Sequence, residues 1–158
     1  SDVDLVNINF SLSPSLIAKK VDAVIGAFRN FELNQMDIVN HPGRAFYPEE
    51  HGVPTYEELI YIANKKNKNN PLFDKFFSAI QKATLTIIND PVSTWKDFSS
   101  FRKGLDDELN KRAYKDTISR FSLRPQAHDI KTYIKFGNFL KRKGIIKKIT
   151  KVETFAKP

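Results

Sequence analysis

The chain of 158 residues contains no cysteine, which excludes a disulfide, a thiolate metal site and a cysteine nucleophile. It has no run of about 18 apolar residues, the length that a membrane-spanning helix needs. The opening segment SDVDLVNINF carries acids where a signal peptide has its basic region, so we expect no signal peptide in this chain. A glycine-rich phosphate loop, a GxGxxG motif and a nucleophile–base pair are also absent. We therefore predict no cofactor and no catalytic residue.

The formal net charge of +8 is unevenly distributed. Residues 1–64 carry four basic and nine acidic side chains, a charge of −5, whereas residues 65–158 carry 22 basic and nine acidic side chains, a charge of +13. A basic half could attract nucleic acid or an anionic surface. The bases are spread over several predicted helices without a nucleic-acid motif, a pattern typical of solvated helix faces. We therefore predict no nucleic-acid partner, and a basic helical module for nucleic acid stays an alternative.

Four segments of the N-terminal part have the composition of β-strands. Asp4–Phe10 alternates apolar and polar residues, and Val21–Ala27 is a short apolar run with β-branched residues, typical of a strand buried on both faces. A short helix, SPSLIAKK, lies between them, which predicts a compact α/β unit with a parallel sheet. Arg44–Tyr47 and Leu59–Ala63 are the other two predicted strands.

The C-terminal part has the pattern of amphipathic helices, because apolar residues recur every three and four positions. We expect Asn69 or Asn70 to cap the first helix, Gly144 to cap the last, and the apolar tail Ile145–Ala156 to dock. The predicted helices are a brief turn at Phe31–Met36, about 18 residues from Pro71, then Val92–Phe101, Leu105–Phe121 and His128–Lys143.

The end of the second predicted strand has the features of a ligand crevice. The small residues Gly26 and Ala27 end the strand, and polar residues follow at Arg29, Asn30 and Glu32. Crevices in α/β sheets lie just beyond the carboxyl ends of strands, so these side chains are candidates for ligand binding. A strand that ends in a solvated loop would give the same pattern.

Two pairs of segments resemble the ThiY-like family of periplasmic binding proteins. They are AFRNFELNQ (27–35) with GRAFYPEEHGVPTYEELI (43–60), and LDDELNKRAYKDTISRFSLRP (105–125) with YIKFGNFLKRKGIIKK (133–148). That family delivers pyrimidine precursors of thiamine to an ABC importer, and it shares a fold with the fungal thiamine-pyrimidine synthases. The resemblance implies an α/β fold of the type 2 periplasmic-binding-protein class, of which this chain is the C-terminal half.

The resemblance also implies which side chains contact the ligand. An aminopyrimidine needs aromatic surface above or below its ring and hydrogen-bonding groups in its plane. In the resembling binding proteins an aromatic residue and a glutamate at the spacing of Phe28 and Glu32 contact the pyrimidine, although the aromatic residue there is Tyr. Asn30 lies between them and can donate and accept. Core packing for Phe28 and a helix N-terminal acid for Glu32 are the alternatives.

A second acidic segment, Glu49-Glu50-His51, could serve as a metal or acid–base site. Adjacent side chains in extended chain point alternately, so three in a row cannot face one ion, and we predict no metal. The resemblance makes this segment part of the cleft or of the hinge. We therefore add Tyr47, as aromatic surface, and Glu50 to the predicted ligand-binding residues.

The function implied by the resemblance is the binding of hydroxymethylpyrimidine or formylaminopyrimidine for ABC-type uptake and thiamine salvage or biosynthesis. The alternative is a biosynthetic enzyme subunit, a non-cysteine relative of the thiamine-pyrimidine phosphate synthases. Those fungal enzymes carry a cysteine-rich motif and bind pyridoxal phosphate through a lysine of their N-terminal half, neither of which is in this sequence. A solute-binding protein is therefore the favoured class.

Partners, location and domains follow from the same resemblance. We expect an aminopyrimidine ligand, the membrane subunit of an ABC transporter, and a periplasmic or extracytoplasmic location. We expect residues 1–64 to form an α/β part with crossing strands and the cleft residues, and residues 65–158 to form a helical part that returns to the other lobe. The chain is expected to be a fragment of a protein about twice as long, so that it pairs with the missing N-terminal half or associates with itself.

Overall fold

The computed structural model describes residues 2–156 of the chain, and these residues form short and medium-length helices. Three single turns of 3₁₀ helix lie at Pro48–His51, Lys65–Asn67 and Val152–Thr154. None of the helices within residues 2–156 is both long and apolar enough to cross a membrane. The α-helices are α1 (Leu12–Ile17), α2 (Glu32–Ile38), α3 (Leu72–Asn89), α4 (Pro91–Ser100), α5 (Glu108–Ile118) and α6 (Ile130–Arg142).

The predicted α/β fold is wrong for this structure, because residues 2–156 contain no β-strand. The four predicted strand segments are irregular chain with bends and a turn. Side chains expected inside are exposed: 90% of Leu5, 92% of Ile25 and 87% of Ile62. An apolar pattern shows which side chains gain by leaving water, but a strand forms only where a neighbouring strand supplies hydrogen-bond partners. Within the described residues no such neighbour is present.

The predicted helices are confirmed, with ends set by side-chain caps. Asn70 accepts the Leu72 N–H at 3.0 Å, so the predicted cap of α3 is confirmed. Three aspartates, Asp90, Asp107 and Asp129, cap α4, α5 and α6 by accepting backbone N–H groups at 2.7–3.0 Å. At the other end of α6, Gly144 has a φ of +72° and donates its N–H to the Lys141 carbonyl at 3.0 Å, which is the predicted glycine cap.

Two compact units make up the chain, and each is interrupted once in sequence. The first unit comprises residues 1–45 and 86–121, and the second comprises residues 46–85 and 122–158. Helix α3 belongs to both, since its first 14 residues lie in the second unit and its last four lie in the first. The predicted division at residue 64, between an α/β part and a helical part of the family fold, stays a prediction.

The best-formed packing of the second unit lies between α6 and the C-terminal tail. Phe139 of α6 is 9% exposed and Val152 of the tail is 4% exposed. Ile149 lies against Gly137, where a Cβ atom would approach its Cγ2 to 3.3 Å. The rings of Tyr133 and Phe155 are 6.0 Å apart. The predicted docking of the tail is therefore confirmed through residue 156.

Candidate ligand-binding residues

Phe28 and Glu32 are joined in one turn that leads into α2. The Phe28 N–H donates to Oε2 of Glu32 at 2.6 Å, and the Phe28 carbonyl accepts the N–H groups of Phe31 and Glu32 at 3.0 Å each. Glu32 is thus the first-turn acid that the sequence offered as an alternative, and its carboxylate also holds the preceding loop. Phe28 is 43% exposed, so core packing is not its role here. Oε1 of Glu32 has no hydrogen bond to residues 2–156.

The side chain of Asn30 is oriented by α5. Its Nδ2 donates to Oγ1 of Thr117 at 2.7 Å, and that hydroxyl donates in turn to the Ala113 carbonyl at 2.6 Å. Because the only hydroxyl hydrogen of Thr117 is used on Ala113, Oγ1 can only accept from Asn30. The amide nitrogen of Asn30 must therefore face α5, and its oxygen Oδ1 is left without a partner in the described part of the chain.

Polar contacts connect helix α2 to helix α5. Nδ2 of Asn34 donates to Oδ2 of Asp116 at 2.7 Å, and also to the Asn30 carbonyl at 3.0 Å. One turn further on, Arg112 bridges Asp37 of α2 and Glu108 of α5. Hydrogen bonds to Glu108 and Asp37 raise the pKa of Arg112 above its ordinary value. The turn that carries Phe28, Asn30 and Glu32 is thereby held through three separate ties.

Three supporting residues, Asn34, Asp37 and Arg112, were not identified from the sequence, although a signal was present. Asn30, Asn34 and Asp37 are spaced four and three apart, so they form one stripe along a helix. A polar stripe on a helix usually faces solvent, so this spacing alone does not identify an interface. Arg112, one of the two basic residues that follow the acids in DDELNKR, is the complementary signal on α5.

Tyr47 and Glu50, the other predicted ligand-binding residues, share a turn in the second unit. Tyr47 precedes the 3₁₀ helix Pro48–His51, and its carbonyl accepts the Glu50 N–H at 3.0 Å. Gly52 ends the turn with a φ of +82°, and the Phe46 and His51 rings are 5.8 Å apart. Glu50 is exposed and Tyr47 is half-buried. The structure thus brings Phe28 to Glu32 and Tyr47 to Glu50, each pair within its own unit.

No cluster of three or more His, Asp and Glu side chains that could hold a metal ion occurs among residues 2–156. Glu49, Glu50 and His51 are consecutive in a 3₁₀ turn rather than in the extended chain expected from the sequence. Successive side chains in a 3₁₀ helix are about 120° apart, so this conformation also keeps them from facing one point.

Comparison with protein families identifies the class of this chain. Residues 1–94, which include all five predicted ligand-binding residues, match the family described as "NMT1/THI5 like". The chain belongs to this family. The resemblance inferred from the segments around Phe28 and Tyr47 is therefore confirmed at the level of the family.

Curated relatives show the same relationship over most of the chain. A Haemophilus influenzae protein named "Putative thiamine biosynthesis protein" is 43% identical over 156 residues, 98% of this chain and 50% of the relative. The "Formylaminopyrimidine-binding protein" of Halalkalibacterium halodurans is 29% identical over 91 residues, 56% of this chain and 28% of the relative. The Schizosaccharomyces pombe "4-amino-5-hydroxymethyl-2-methylpyrimidine phosphate synthase" is 26% identical over 161 residues, 92% of this chain and 45% of the relative.

The chain spans half or less of the length of each of these relatives. No solved structure gives a significant match to it.

Proposed function

We propose that this chain contributes binding residues for a thiamine pyrimidine precursor, hydroxymethylpyrimidine or formylaminopyrimidine, in a solute-binding protein that serves thiamine salvage or biosynthesis. Family membership and the names of two relatives support the ligand class. The observation that carries the proposal is the turn at residues 28–32, which carries an exposed ring and two side-chain oxygens that have no partner among the described residues.

The chemistry of the turn is complementary to an aminopyrimidine. The exocyclic amino group of such a ring is a donor, and its two hydrogens need acceptors. Glu32 offers Oε1, and Asn30 offers Oδ1 because its amide nitrogen is engaged by Thr117. The ionised carboxylate can also accept from a protonated ring nitrogen, in a charge-assisted bond stronger than a neutral one. Phe28 supplies the flat apolar surface on which the ring stacks.

Tyr47 and Glu50 stay predicted ligand contacts from the second unit. They offer an aromatic side chain and an exposed carboxylate on one turn, the same two groups that Phe28 and Glu32 provide. An extracytoplasmic location and docking to the membrane subunit of an ABC transporter complete the proposal. Both rest on the likeness to binding proteins rather than on contacts in this chain.

A binding role is favoured over a biosynthetic one. The synthase relatives match at 26–35% identity, and four of the five match only 66 residues. The chain has no cysteine with which to reproduce the cysteine-rich motif of the fungal enzymes. The binding-protein relative matches 91 residues, at 29% identity.

The test is calorimetric titration of hydroxymethylpyrimidine and formylaminopyrimidine into the longest natural polypeptide that contains this chain. Glu32→Gln should weaken binding by about 1.5–3 kcal/mol, because it removes one charge-assisted hydrogen bond. Asp97→Asn is the control, since it makes the same carboxylate-to-amide change at an exposed residue of α4 in the same unit. A pyrimidine with an oxo group in place of the amino group should also bind weakly, because the oxo oxygen is an acceptor and would face the acceptor oxygens of Glu32 and Asn30.

Equal affinity of Glu32→Gln and the unaltered protein for the pyrimidine would show that Glu32 is not a ligand contact. Equal affinity for the amino and oxo pyrimidines would contradict the acceptor argument as a whole.

A further inference from the structure

One exposed face of α6 carries a basic groove that the pyrimidine proposal does not use. The groove has a volume of about 390 Å³, within the usual range for small-molecule sites. It contains three cationic side chains, one amide and two apolar groups, and no carboxylate lines it. The lining residues are Pro54, Lys131, Ile134, Lys135, Asn138 and Arg142.

The polar members of this α6 groove form a single stripe. Lys131, Lys135, Asn138 and Arg142 are spaced four, three and four apart, so at 100° per residue they fall within an arc of about 60°. At a rise of 1.5 Å per residue the stripe is about 16 Å long. The opposite side of the helix carries the half-buried Tyr133, Phe136 and Leu140. The three cations of the groove therefore share one face of α6, whereas Lys141 of the same helix lies about 90° away.

Asp129 is the acid nearest to these three cations in sequence, and it interacts with the charge of one of them, Lys131. None of them forms an ion pair with a described carboxylate. The carboxylate of Asp129 instead accepts the Thr132 hydroxyl at 3.0 Å and the Lys131 N–H at 2.9 Å, and these bonds lower the pKa of Asp129. Glu57 accepts the hydroxyl of Tyr133 at 2.8 Å. The charge of Lys131 also contributes, as the smallest cause, to the lowered pKa of Asp129, and Glu57 is bonded to the opposite side of α6. Lys135 and Arg142 have no acidic partner among the described residues, so two of the three positive charges of the groove are unpaired.

The position of Arg142 also fits a binding role. Its guanidinium carbon lies 5.8 Å from the centre of the Phe139 ring, and Phe139 is buried. A cation–π contact of this kind limits the motion of the side chain while its five N–H donors stay available. Asn138, one turn earlier, adds an amide donor, and Pro54 and Ile134 supply apolar surface at the same groove.

We propose that the α6 groove binds a phosphate monoester, with the phosphate on Lys131, Lys135, Asn138 and Arg142 and an apolar body on Pro54 and Ile134. Lysine, arginine and amide donors without a carboxylate are the set that recognises phosphate. A second groove of similar volume, about 410 Å³ on α3, is lined by the carboxylate of Asp74 together with Lys75 and Lys82. That acid would repel an anion, so the α3 groove is not a candidate.

The test uses the 158-residue chain and phenyl phosphate, a soluble monoester with a flat apolar body. Amide shifts mapped by NMR on the unaltered protein should change on α6 around residues 131–142 and at Pro54's neighbours, and not along α5. Lys135→Gln with Arg142→Gln should weaken binding at least about tenfold, since it removes two charged donors. Both side chains are exposed, so the variant should keep its helical circular dichroism.

Two exposed lysines of α5 provide a matched control. Lys111→Gln with Lys115→Gln removes the same charge from two residues one turn apart, on a helix that lines neither groove. Phenyl phosphate affinity should be unchanged in this control. An equal loss in both variants would show attraction by net charge alone and would overturn the site. Shifts in the unaltered protein that avoid both α6 and the neighbours of Pro54 would overturn it as well.

Two further probes define the ligand. Inorganic phosphate should bind more weakly than phenyl phosphate, because it cannot use Pro54 and Ile134; equal affinity would contradict the monoester assignment. Vesicles containing phosphatidic acid, compared with phosphatidylcholine alone, test whether the phosphate belongs to a lipid. Binding to the acidic vesicles that is lost with Lys135→Gln and Arg142→Gln would support the phosphate site with a lipid as its source.

Discussion

The isolated chain is expected to associate with itself, because it exposes more surface than a compact monomer of its size. A folded protein of 18.2 kDa exposes about 8,100 Å², and two separate compact units of half that mass would expose about 9,800 Å² together. The surface of this chain is 13,107 Å². The surface exceeds the value for two separate compact units by about 3,300 Å². A standard protein–protein interface buries about 1,600 Å² in total, so the excess is sufficient for a stable interface.

The apolar side chains that contribute to this excess can be tested one at a time. Phe10 of the first unit is 101% exposed and Ile62 of the second unit is 87% exposed. In a monomer, Phe10→Ser would change the free energy of unfolding by no more than about 0.5 kcal/mol. If association buries the ring, the substitution removes about 1.5–3 kcal/mol of apolar contact, which weakens association about 10- to 150-fold. Ile62→Ser tests the second unit in the same way.

Sedimentation velocity over a wide range of concentration measures the effect. The unaltered chain should sediment as more than a monomer, and Phe10→Ser should move the association to higher concentration. Phe139→Ala is the control, because it removes a ring from the interior and should destabilise the fold by about 3–5 kcal/mol in every state of association. An unaltered chain that sediments as a monomer at all concentrations would refute the reasoning from surface area.

Three further predictions concern the polar contacts and the charge. Arg112→Gln should slightly lower the free energy of unfolding measured in urea, because its ion pairs with Asp37 and Glu108 are exposed. The loss should be smaller at high salt than at low salt, since salt screens exposed charges. An equal loss at both salt concentrations would contradict this. Burial and the bond to Glu57 raise the pKa of Tyr133 to about 12, so stability should fall between about pH 10 and pH 12 as the unfolded chain loses this proton first. In Tyr133→Phe the free energy of unfolding should decrease less over this pH range. An unchanged pH dependence would exclude Tyr133 as the source of the decrease. Duplex DNA should bind with a dissociation constant of about 10⁻⁴–10⁻⁶ M and without sequence preference, and a tight sequence-dependent shift in a gel would disprove it.

The helices of the C-terminal part could be predicted because their signals are local. Helix α3 was expected over about 18 residues from Pro71 and spans Leu72–Asn89, since its cap at Asn70 and its apolar period lie within the segment itself. Helix α5 was expected to begin at Leu105 but begins at Glu108. The carboxylate of Asp107 accepts the Asn110 N–H, and that bond fixes the start three residues later.

The absence of strands from residues 2–156 could not be predicted, because strand formation depends on pairing with a distant segment. Asp4–Phe10 and Val21–Ala27 have apolar patterns that report a preference for burial, yet pairing depends on a second segment that the pattern does not identify. The candidate site was predictable only where it depends on residues close in sequence. The exposure of Phe28 and the first-turn position of Glu32 follow from nearby residues. The orientation of Asn30 depends on Thr117, which lies 87 positions away.

Helix α3 has a consequence for how the chain unfolds. The chain passes from one unit to the other at residues 45–46, 85–86 and 121–122, and the middle passage lies inside α3. Because a helix propagates cooperatively from turn to turn, fraying of α3 near Leu85 removes backbone hydrogen bonds from both units at once. Hydrogen exchange along α3 should therefore report a single unfolding event shared by the two units. A truncation after residue 94, where the family match ends, would remove residues from both.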